Sequence, residues 1–489
     1  MVVELVAGRI LAPYVGVSLY TWTTIIGVVL AGISLGNYLG GKLADRGASR
    51  RELGLVFIIS GLAALSILLT TKVVTTTTVM PSLHIMNRII IYTALVFFIP
   101  TAIMGMITPI VVKLSLQNLQ NTGKTVGTIY AYAALGSIVG TFVTGFYLVA
   151  NFGTRNILWM VGGVLIVTGL LAGRYWEDLR RGITAILLIL AFSGAFLVWR
   201  DEFKAPCDVE SSYYCIRVDD ITFQDKPTKA LALDHLIHSY VRPEDPTFLG
   251  YEYEQIFMDI TSYLAAERQR PVDMLFIGGG GYTFPRALEV QHPDYGLTVV
   301  EIDPQVTETA HKLGLNRDTK VVSLNEDGRY YFLRNGGQVK YDLIFGDAFN
   351  DLSVPYHLTT VEFSQMLKGA MKEGGIYSAN IVDDARDGEF LQAFLNTQAQ
   401  VFKYVNLFSI GGAFDTPGAS TYVVTASDQP MDMERFQKAA SDGGKRSIVG
   451  RAVADQRLAD FMNRGRRLVL TDDFVPVDNL VAPILARSK

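Results

Sequence analysis

The sequence predicts a multi-span α-helical membrane domain followed by an α/β Rossmann-like domain with a small β region at its start. Three observations predict it. The first is the distribution of charge: residues 1–199 carry 13 Lys/Arg and 5 Asp/Glu, net +8, whereas residues 200–489 carry 30 and 42, net −12, a contrast hidden in the overall −4. Charged side chains are therefore 18 of 199 in the first part and 72 of 290 in the second, and only the second reaches the roughly 25% usual for a solvated domain. The second observation is a series of six long stretches without Asp, Glu, Lys or Arg, all within residues 1–199. The third is a short apolar run that enters four consecutive glycines, Gly278–Gly281, with an acid closing the next apolar run. A single soluble globule, a disordered chain, a collagen-like repeat and a disulfide-built mini-protein are excluded, the last because there are two cysteines.

A helix needs about 20 apolar residues to cross the hydrocarbon core, because backbone polar groups left unpaired in lipid cost several kcal/mol each. Segments 10–41, 53–71, 89–112, 125–154, 156–173 and 182–199 reach or approach that length and predict six spans. Residues 1–9, with Glu4 and Arg9, are too short and too charged to cross alone and read as the end of a seventh helix tucked against the others. No basic region precedes a clean apolar core there, which disfavours a cleaved signal peptide. Gly32, Gly36 and Gly40 recur at four-residue spacing, as do Gly136 and Gly140, which predicts close helix packing. Pro100 and Pro109 predict kinks, and Glu4 with Arg9 an ion pair. Lys42, Arg46, Arg50 and Arg51, and again Arg174, Arg180 and Arg181, mark their loops as cytoplasmic. Counting onward through 182–199 would place the C-terminal part outside, yet its chemistry calls for a cytosolic metabolite. The expectation adopted is a miscounted or re-entrant segment that leaves this part in the cytoplasm.

Residues 200–270 read as a linker and small β region, and 271–489 as the nucleotide-binding domain. Val272–Ile277 is a strand running into the glycines, and Leu297–Glu301 a second strand ending in an acid. Glycines let the backbone turn sharply and lie against a ligand, and an acid at the next strand end can accept both ribose hydroxyls. Gly278, Gly280, Gly281 and Glu301 are accordingly the candidate nucleoside contacts. A dinucleotide fingerprint starting at Gly278 or Gly279 would need glycine where Thr283 or Phe284 stands. A sulfonium nucleoside, with no pyrophosphate to seat on a helix N-terminus, fits better than NAD. Three more strands follow: Lys320–Leu324 leading to Asp327 and Gly328, Tyr341–Phe345 leading to Asp347, and Gly375–Asn380. Asp327 is placed for an adenine amino group and Asp347 for the reacting end of the nucleoside, although either could be a helix cap.

These pieces, with Glu210–Ile216, Leu233–Tyr240, Val300–Asp303, Asp347–Leu358 and Leu470–Pro476, resemble the polyamine aminopropyltransferases, the spermidine synthase family, and the whole chain resembles its membrane-fused bacterial branch. Gly36–Arg46 is similar to that branch and loosely to the loop of major-facilitator carriers. The resemblance implies a methyltransferase-like fold, a bacterial inner-membrane location and attack of an amine on the methylene beside the sulfonium of decarboxylated S-adenosylmethionine, with release of methylthioadenosine. It assigns Asp347 amine orientation and proton acceptance, Asp351 the substrate cation, Glu301 ribose and Asp327 adenine. Tyr240, Tyr251 and Tyr253 could line the amine channel, or simply pack. The family's loop carries Gly-Gly-Gly-Asp-Gly, where this chain has Gly281 and Tyr282, and Tyr214 and His238 stand where the family places glutamines near the donor. The half of the site that recognises the transferred group is thus rebuilt, and S-adenosylmethionine itself becomes a candidate donor.

Two other function classes stay open on the residues alone. Another S-adenosylmethionine-consuming enzyme, a methyltransferase or lyase, is motivated by the altered loop. A transporter or sensor that binds a nucleoside or polyamine is motivated by the carrier-like segment. Six histidines and two cysteines show no metal-ligand spacing, and an acidic second part without a basic stripe argues against nucleic acid. The expected partners are a polyamine or other small amine and the lipid bilayer, with a homodimer open. His357 could contact substrate or make a structural hydrogen bond. Cys207 and Cys215 are expected as free thiols if the domain is cytosolic and as a disulfide if it is exported.

Overall fold

The computed structural model describes residues 1–76, 83–116, 121–175, 177, 206–335, 337–348, 354–410, 413–416, 418–442 and 451–487. Its contacts divide the chain into two compact units, Met1–Cys215 and Ile216–Ser488.

The first unit is helical. Among the described residues, five helical segments are long and apolar enough to cross a membrane: α2 (Leu19–Asp45), α3 (Arg50–Thr76), α4 (Ile85–Gly105) continued by α5 (Ile107–Ser115), α6 (Thr122–Asn151) and α7 (Thr154–Ala172). The expected span 182–199 lies outside the described residues. The uncharged stretch 10–41 is not one helix, because α1 (Val2–Val15) ends at Gly16, where φ is 70°, and α2 restarts after Ser18, whose side chain accepts the Thr21 N–H at 3.2 Å. A serine N-cap after a glycine stop outweighs continuous apolarity. The seventh helix is thus α1, and Val6, Ala7 and Leu11 are fully buried in the unit. Pro109 also breaks a helix: α4 ends at Gly105, the residue whose carbonyl a proline ring four positions on would strike.

Small residues do the packing where α2 meets α4. A Cβ at Gly36 would collide with the Ala102 carbonyl, and one at Gly40 would stand 2.6 Å from the Met106 carbonyl oxygen. The predicted glycine stripe on α2 is therefore a helix contact. Gly136 on α6 meets nothing within 4 Å, so its spacing is not used in this way inside the unit. Arg9 does not pair with Glu4; its guanidinium donates to the carbonyls of Ser212, at 2.9 Å, and Ser211. The short strand β1 (Val209–Glu210) lies between Cys207 and Cys215, which form a disulfide.

The second unit begins with an antiparallel meander of β2 (Cys215–Phe223), β3 (Lys226–Leu233) and β4 (Leu236–Val241). Helix α8 (Glu252–Arg268) then leads into an eight-stranded mixed sheet of order β12-β10-β11-β9-β8-β5-β6-β7. Strands β5 (Asp273–Ile277), β6 (Gly296–Val300), β7 (Val322–Leu324), β8 (Tyr341–Gly346) and β9 (Met371–Asp383) run parallel. The hairpin β10 (Tyr404–Ser409) and β11 (Ser420–Ser427) adds antiparallel strands beyond β9, and β12 (Arg451–Ala452) closes that edge. Apolar side chains cover both faces: Leu275, Ile344 and Phe394 belong to one core, Phe276, Phe345 and Phe257 to the other. That two-sided burial is why β5 and β8 read as continuous apolar runs. The chain goes from β5 outward to β6 and β7, then returns to place β8 on the other side of β5. The order reverses at β5 and β8, where open α/β sheets form a crevice beyond the carboxyl ends of their strands.

Candidate active site

The crevice is lined by the two segments that leave β5 and β8. Gly278 sits at φ 98° and donates its N–H to Val300 O at 2.9 Å, while the Asp347 N–H donates to Ile277 O at 2.9 Å. A Cβ at Gly278 would strike the Asp347 carbonyl. Gly278→Ala combines that collision with a left-handed backbone, so we expect a loss of about 2–4 kcal/mol, read as a lower unfolding midpoint of the detergent-purified chain in urea.

Glu301, just past β6, is 6% exposed and folds over the loop. Its Oε2 accepts the Gly279 N–H at 2.8 Å and its Oε1 the Asp303 N–H at 2.9 Å. Burial raises its pKa, and the amides of Asp303, Gly279 and Gly280 partly restore the ionised form. Each oxygen keeps a lone pair for a further donor. The loop is braced from outside by Ser239, whose Oγ accepts the Gly281 N–H at 2.9 Å, and a Cβ at Gly281 would stand 2.8 Å from Ser239 Cβ. From inside it rests on Tyr282, fully buried at φ 54°, whose hydroxyl lies 3.1 Å from Thr307 Oγ1. The space beside Gly281 is thus filled by β4, through Ser239 and Val241.

At the other strand end Asp347 is held by two donors. Tyr253 Oη donates to its Oδ2 at 2.8 Å and Asn380 Nδ2 to its Oδ1 at 2.9 Å. Desolvation lifts its carboxyl to about 6, against the lowering effect of those two hydrogen bonds. Asn380 Oδ1 is buried with no hydrogen-bond partner among the described residues. An aromatic row leads away from Asp347: Tyr253 stacks on Tyr251 at 5.6 Å, Tyr251 meets Tyr240 at 5.0 Å, and Tyr240 stacks on Phe223 at 4.2 Å. The Tyr251 hydroxyl is fixed by Ile237 O at 2.6 Å. Beneath the row, buried Glu254 accepts from the Tyr251 N–H at 3.1 Å and from the Thr283 hydroxyl, so it ties the row to the first turn of the helix after the glycine loop, Thr283–Gln291. Burial raises Glu254 to about 7. Tyr253→Phe removes one donor to Asp347, so the carboxyl should titrate higher and the acid limb of activity move up by about half a unit to one unit; a pH profile of kcat/KM reads the shift.

Asp327 takes one of the two roles the sequence left open, that of a helix cap. Its Oδ1 caps the helix Gly328–Asn335 through the Arg329 and Tyr330 N–H groups, each at 2.9 Å, and its Oδ2 lies 2.8 Å from His357 Nε2. The His357 bond and those amides hold Asp327 below the usual carboxylate range. A structural bond is thus the observed role of His357. Gly328 starts that helix, and a Cβ there would stand 2.7 Å from Ile277 Cγ2. His238, on β4, is buried at Nε2 without a partner among the described residues, and desolvation lowers it to about 4, which leaves it neutral. Tyr214 belongs to the first unit, its ring 6.4 Å from Tyr213. Asp351 lies outside the described residues.

The second unit thus brings Gly278, Gly280, Gly281, Glu301, Asp347, Tyr253, Tyr251 and Tyr240 to one crevice and its approach. Sequence reading missed Asn380, Ser239 and Glu254. Asn380 could have been found as the polar residue closing the expected strand Gly375–Asn380, which in the structure continues to Asp383; Glu254 has the signature of an ordinary first-turn helix acid. Among the described residues no cluster of His, Cys, Asp and Glu fit to hold a metal is present.

Residues 257–417 match the family model described as "Spermine/spermidine synthase domain". A "Probable polyamine aminopropyl transferase" of Bifidobacterium longum is 26% identical over 222 residues, covering 42% of this chain and 48% of that protein. A "Polyamine aminopropyltransferase" of Vibrio vulnificus is 37% identical over 114 residues, covering 23% of this chain and 38% of that protein. The chain therefore spans less than half the length of these curated relatives. Among solved structures, a chain described as a "probable spermidine synthase" from Corynebacterium glutamicum overlays with a TM-score of 0.47 at 18% identity, over 54% of this chain and 95% of that one. The matched segment contains the glycine loop, Glu301, Asp327, Asp347 and Asn380, and leaves Tyr240, Tyr251 and Tyr253 outside it.

Proposed function

We propose, on the premise that the chain belongs to the spermidine synthase-like family through residues 257–417, that it is a membrane-bound aminopropyltransferase. In this reading it moves an aminopropyl group from decarboxylated S-adenosylmethionine to a polyamine-type amine. The observation that carries the reading is Asp347, a carboxylate oriented by Tyr253 and Asn380 at 2.8 and 2.9 Å, between the glycine loop and an aromatic row.

The chemistry follows from that placement. The nucleoside lies on Gly278–Gly281 with its ribose on Glu301 and its base toward Asp327, although Asp327 Oδ2 must share His357 with it. The acceptor enters along Phe223, Tyr240 and Tyr251, whose ring faces attract the remaining ammonium groups of a multiply charged amine. Its attacking nitrogen forms a bond to the methylene beside the sulfonium. The carbon–sulfur bond breaks, its electron pair passes to sulfur, and methylthioadenosine leaves as a neutral thioether. The proton lost by the attacking nitrogen goes to Asp347, which is ionised above about pH 6.

A methyl transfer from S-adenosylmethionine is the second reading, favoured by one observation: Gly281 packs on Ser239, so this position of the loop sets no carboxylate against the one that S-adenosylmethionine carries and its decarboxylated form lacks. One experiment decides. Purified full-length protein is incubated with each sulfonium donor and a panel of amines, and products are identified by mass spectrometry. Methylthioadenosine with an extended amine supports aminopropyl transfer, S-adenosylhomocysteine supports the second reading, and no product with any pair sinks both.

A further inference from the structure

We infer that residues 207–215 form a disulfide-closed anchor on the non-cytoplasmic end of the helical unit, so that the α/β unit, whose chain begins at Ile216, is displayed outside the cytoplasm. Three separate observations carry this. The first is charge. Lys42, Arg46, Arg50 and Arg51 surround the turn from α2 to α3. Lys113, at the end of α5, reaches that turn, its Nζ 3.5 Å from Asp45 Oδ1. Arg174 follows α7, and α7 brings its C-terminal end to the start of α3, where a Cβ at Gly54 would stand 2.7 Å from Gly173 Cα. One end of the unit therefore gathers six basic side chains, and such an end faces the cytoplasm. The other end has four, Arg9, Lys72, Arg88 and Arg155, and both Arg9 and Arg88 donate to backbone carbonyls.

The second observation is where the chain leaves the unit. Glu210 accepts the Thr154 N–H at 2.8 Å and the Thr154 hydroxyl at 3.1 Å, so its carboxylate caps the first turn of α7, where the helix dipole favours an anion. Arg9 clamps the next two carbonyls, of Ser211 and Ser212. Thr154 and Arg174 stand at opposite ends of α7; at 1.5 Å per residue its length is about 28 Å, the depth of a hydrocarbon core. The anchor is thus one membrane thickness from the basic end. In the sequence, the uncharged stretch 182–199 lies between Arg174 and Cys207 and has the length of a span.

The third observation is chemical. Both cysteines of the chain, Cys207 and Cys215, are joined across this anchor, a bond that persists in oxidising compartments and is rare in the cytosol. Charge, docking and redox chemistry agree, and they reverse the cytoplasmic placement expected from the substrate. In metabolic terms, a sulfonium nucleoside made in the cytosol and a multiply charged amine do not cross lipid unaided. A transport step for the donor must then precede the reaction at this site.

The placement does not rest on the aminopropyl-transfer reading, since activity of the purified protein is blind to topology. To test it, the full chain is produced in a bacterial host, and intact spheroplasts and inverted membrane vesicles are treated with proteinase K. The expected result is loss of the α/β unit in spheroplasts and its protection in inverted vesicles; the opposite pattern overturns the inference. Acid-quenched thiol trapping with a mass-tagged maleimide provides a second readout. Both cysteines should label only after reduction, and labelling of unreduced protein overturns it equally.

Discussion

Asp347→Asn should lower kcat by about 10²–10⁴-fold, the usual contribution of a positioned base, while leaving methylthioadenosine binding within about twofold and the folded state no less stable. The two halves of that expectation have one cause. In the wild type, desolvation raises the carboxyl to about 6 against the hydrogen bonds from Asn380 and Tyr253. A carboxyl whose folded-state pKa lies above its unfolded value favours the folded state fully only at low pH. That contribution is lost as pH rises through about 6. At pH 8 the ionised group therefore costs stability, by at most about 3 kcal/mol for a shift of roughly two units. The amide introduced by Asp347→Asn avoids this cost but satisfies one of the two donors less well, so part of the gain is forfeited. The variant should melt at or above the wild type at pH 8, with the difference shrinking as pH falls below about 6 and vanishing only below about 4, where Asp347 is neutral in the unfolded chain as well. Wild-type activity should fall as pH drops through about 6 while melting does not. Retained activity in Asp347→Asn would remove the carboxylate from the chemistry; a lower melting point at pH 8 than at pH 5 relative to wild type would overturn the account of its environment.

Much of this site was legible because parallel strands buried on both faces must be short apolar runs, and because only glycine tolerates Gly278's φ of 98° next to the Asp347 carbonyl. Both constraints act locally in sequence and leave a local trace. What stayed hidden depends on partners far along the chain. Asp327 could be read as cap or ligand contact because its second oxygen is committed only by His357, 30 residues later. Glu254 looks like any acid in a first helical turn until Thr283 and the Tyr251 amide are found on it. Arg9 had a sequence neighbour of opposite charge and instead took carbonyls 202 and 203 residues away. In the helical unit, uncharged length marked six spans, five of which match long apolar helices among the described residues, but it ran through the break at Gly16–Ser18, because a capping serine is invisible to a measure that counts only apolar length.

Glu301→Gln should weaken binding of methylthioadenosine by about 10–100-fold, the expected result of losing roughly 1.4–2.8 kcal/mol, with a correspondingly raised donor KM. The wild-type carboxylate accepts at both oxygens, from Gly279 at 2.8 Å and Asp303 at 2.9 Å. The amide can accept at one position only, and its NH2 must face one of the two backbone N–H groups, donor against donor. Leaving a buried donor unsatisfied costs about 1–3 kcal/mol, and the loop can escape it only by moving the Gly279 amide away from the nucleoside. The same substitution removes one of the acceptors available to the ribose hydroxyls. Isothermal titration of the detergent-purified full chain with methylthioadenosine measures the effect. Glu308→Gln, which breaks the exposed pair with Arg317 at 2.7 Å, serves as the control and should bind as the wild type does, since a solvated ion pair contributes little. Equal affinity in Glu301→Gln and wild type would mean that the nucleoside does not lie on this loop. If Glu301→Gln lowers affinity and Asp347→Asn keeps it, the two carboxylates divide the site as their positions require: one holds the nucleoside at the end of β6, and the other handles the proton at the end of β8.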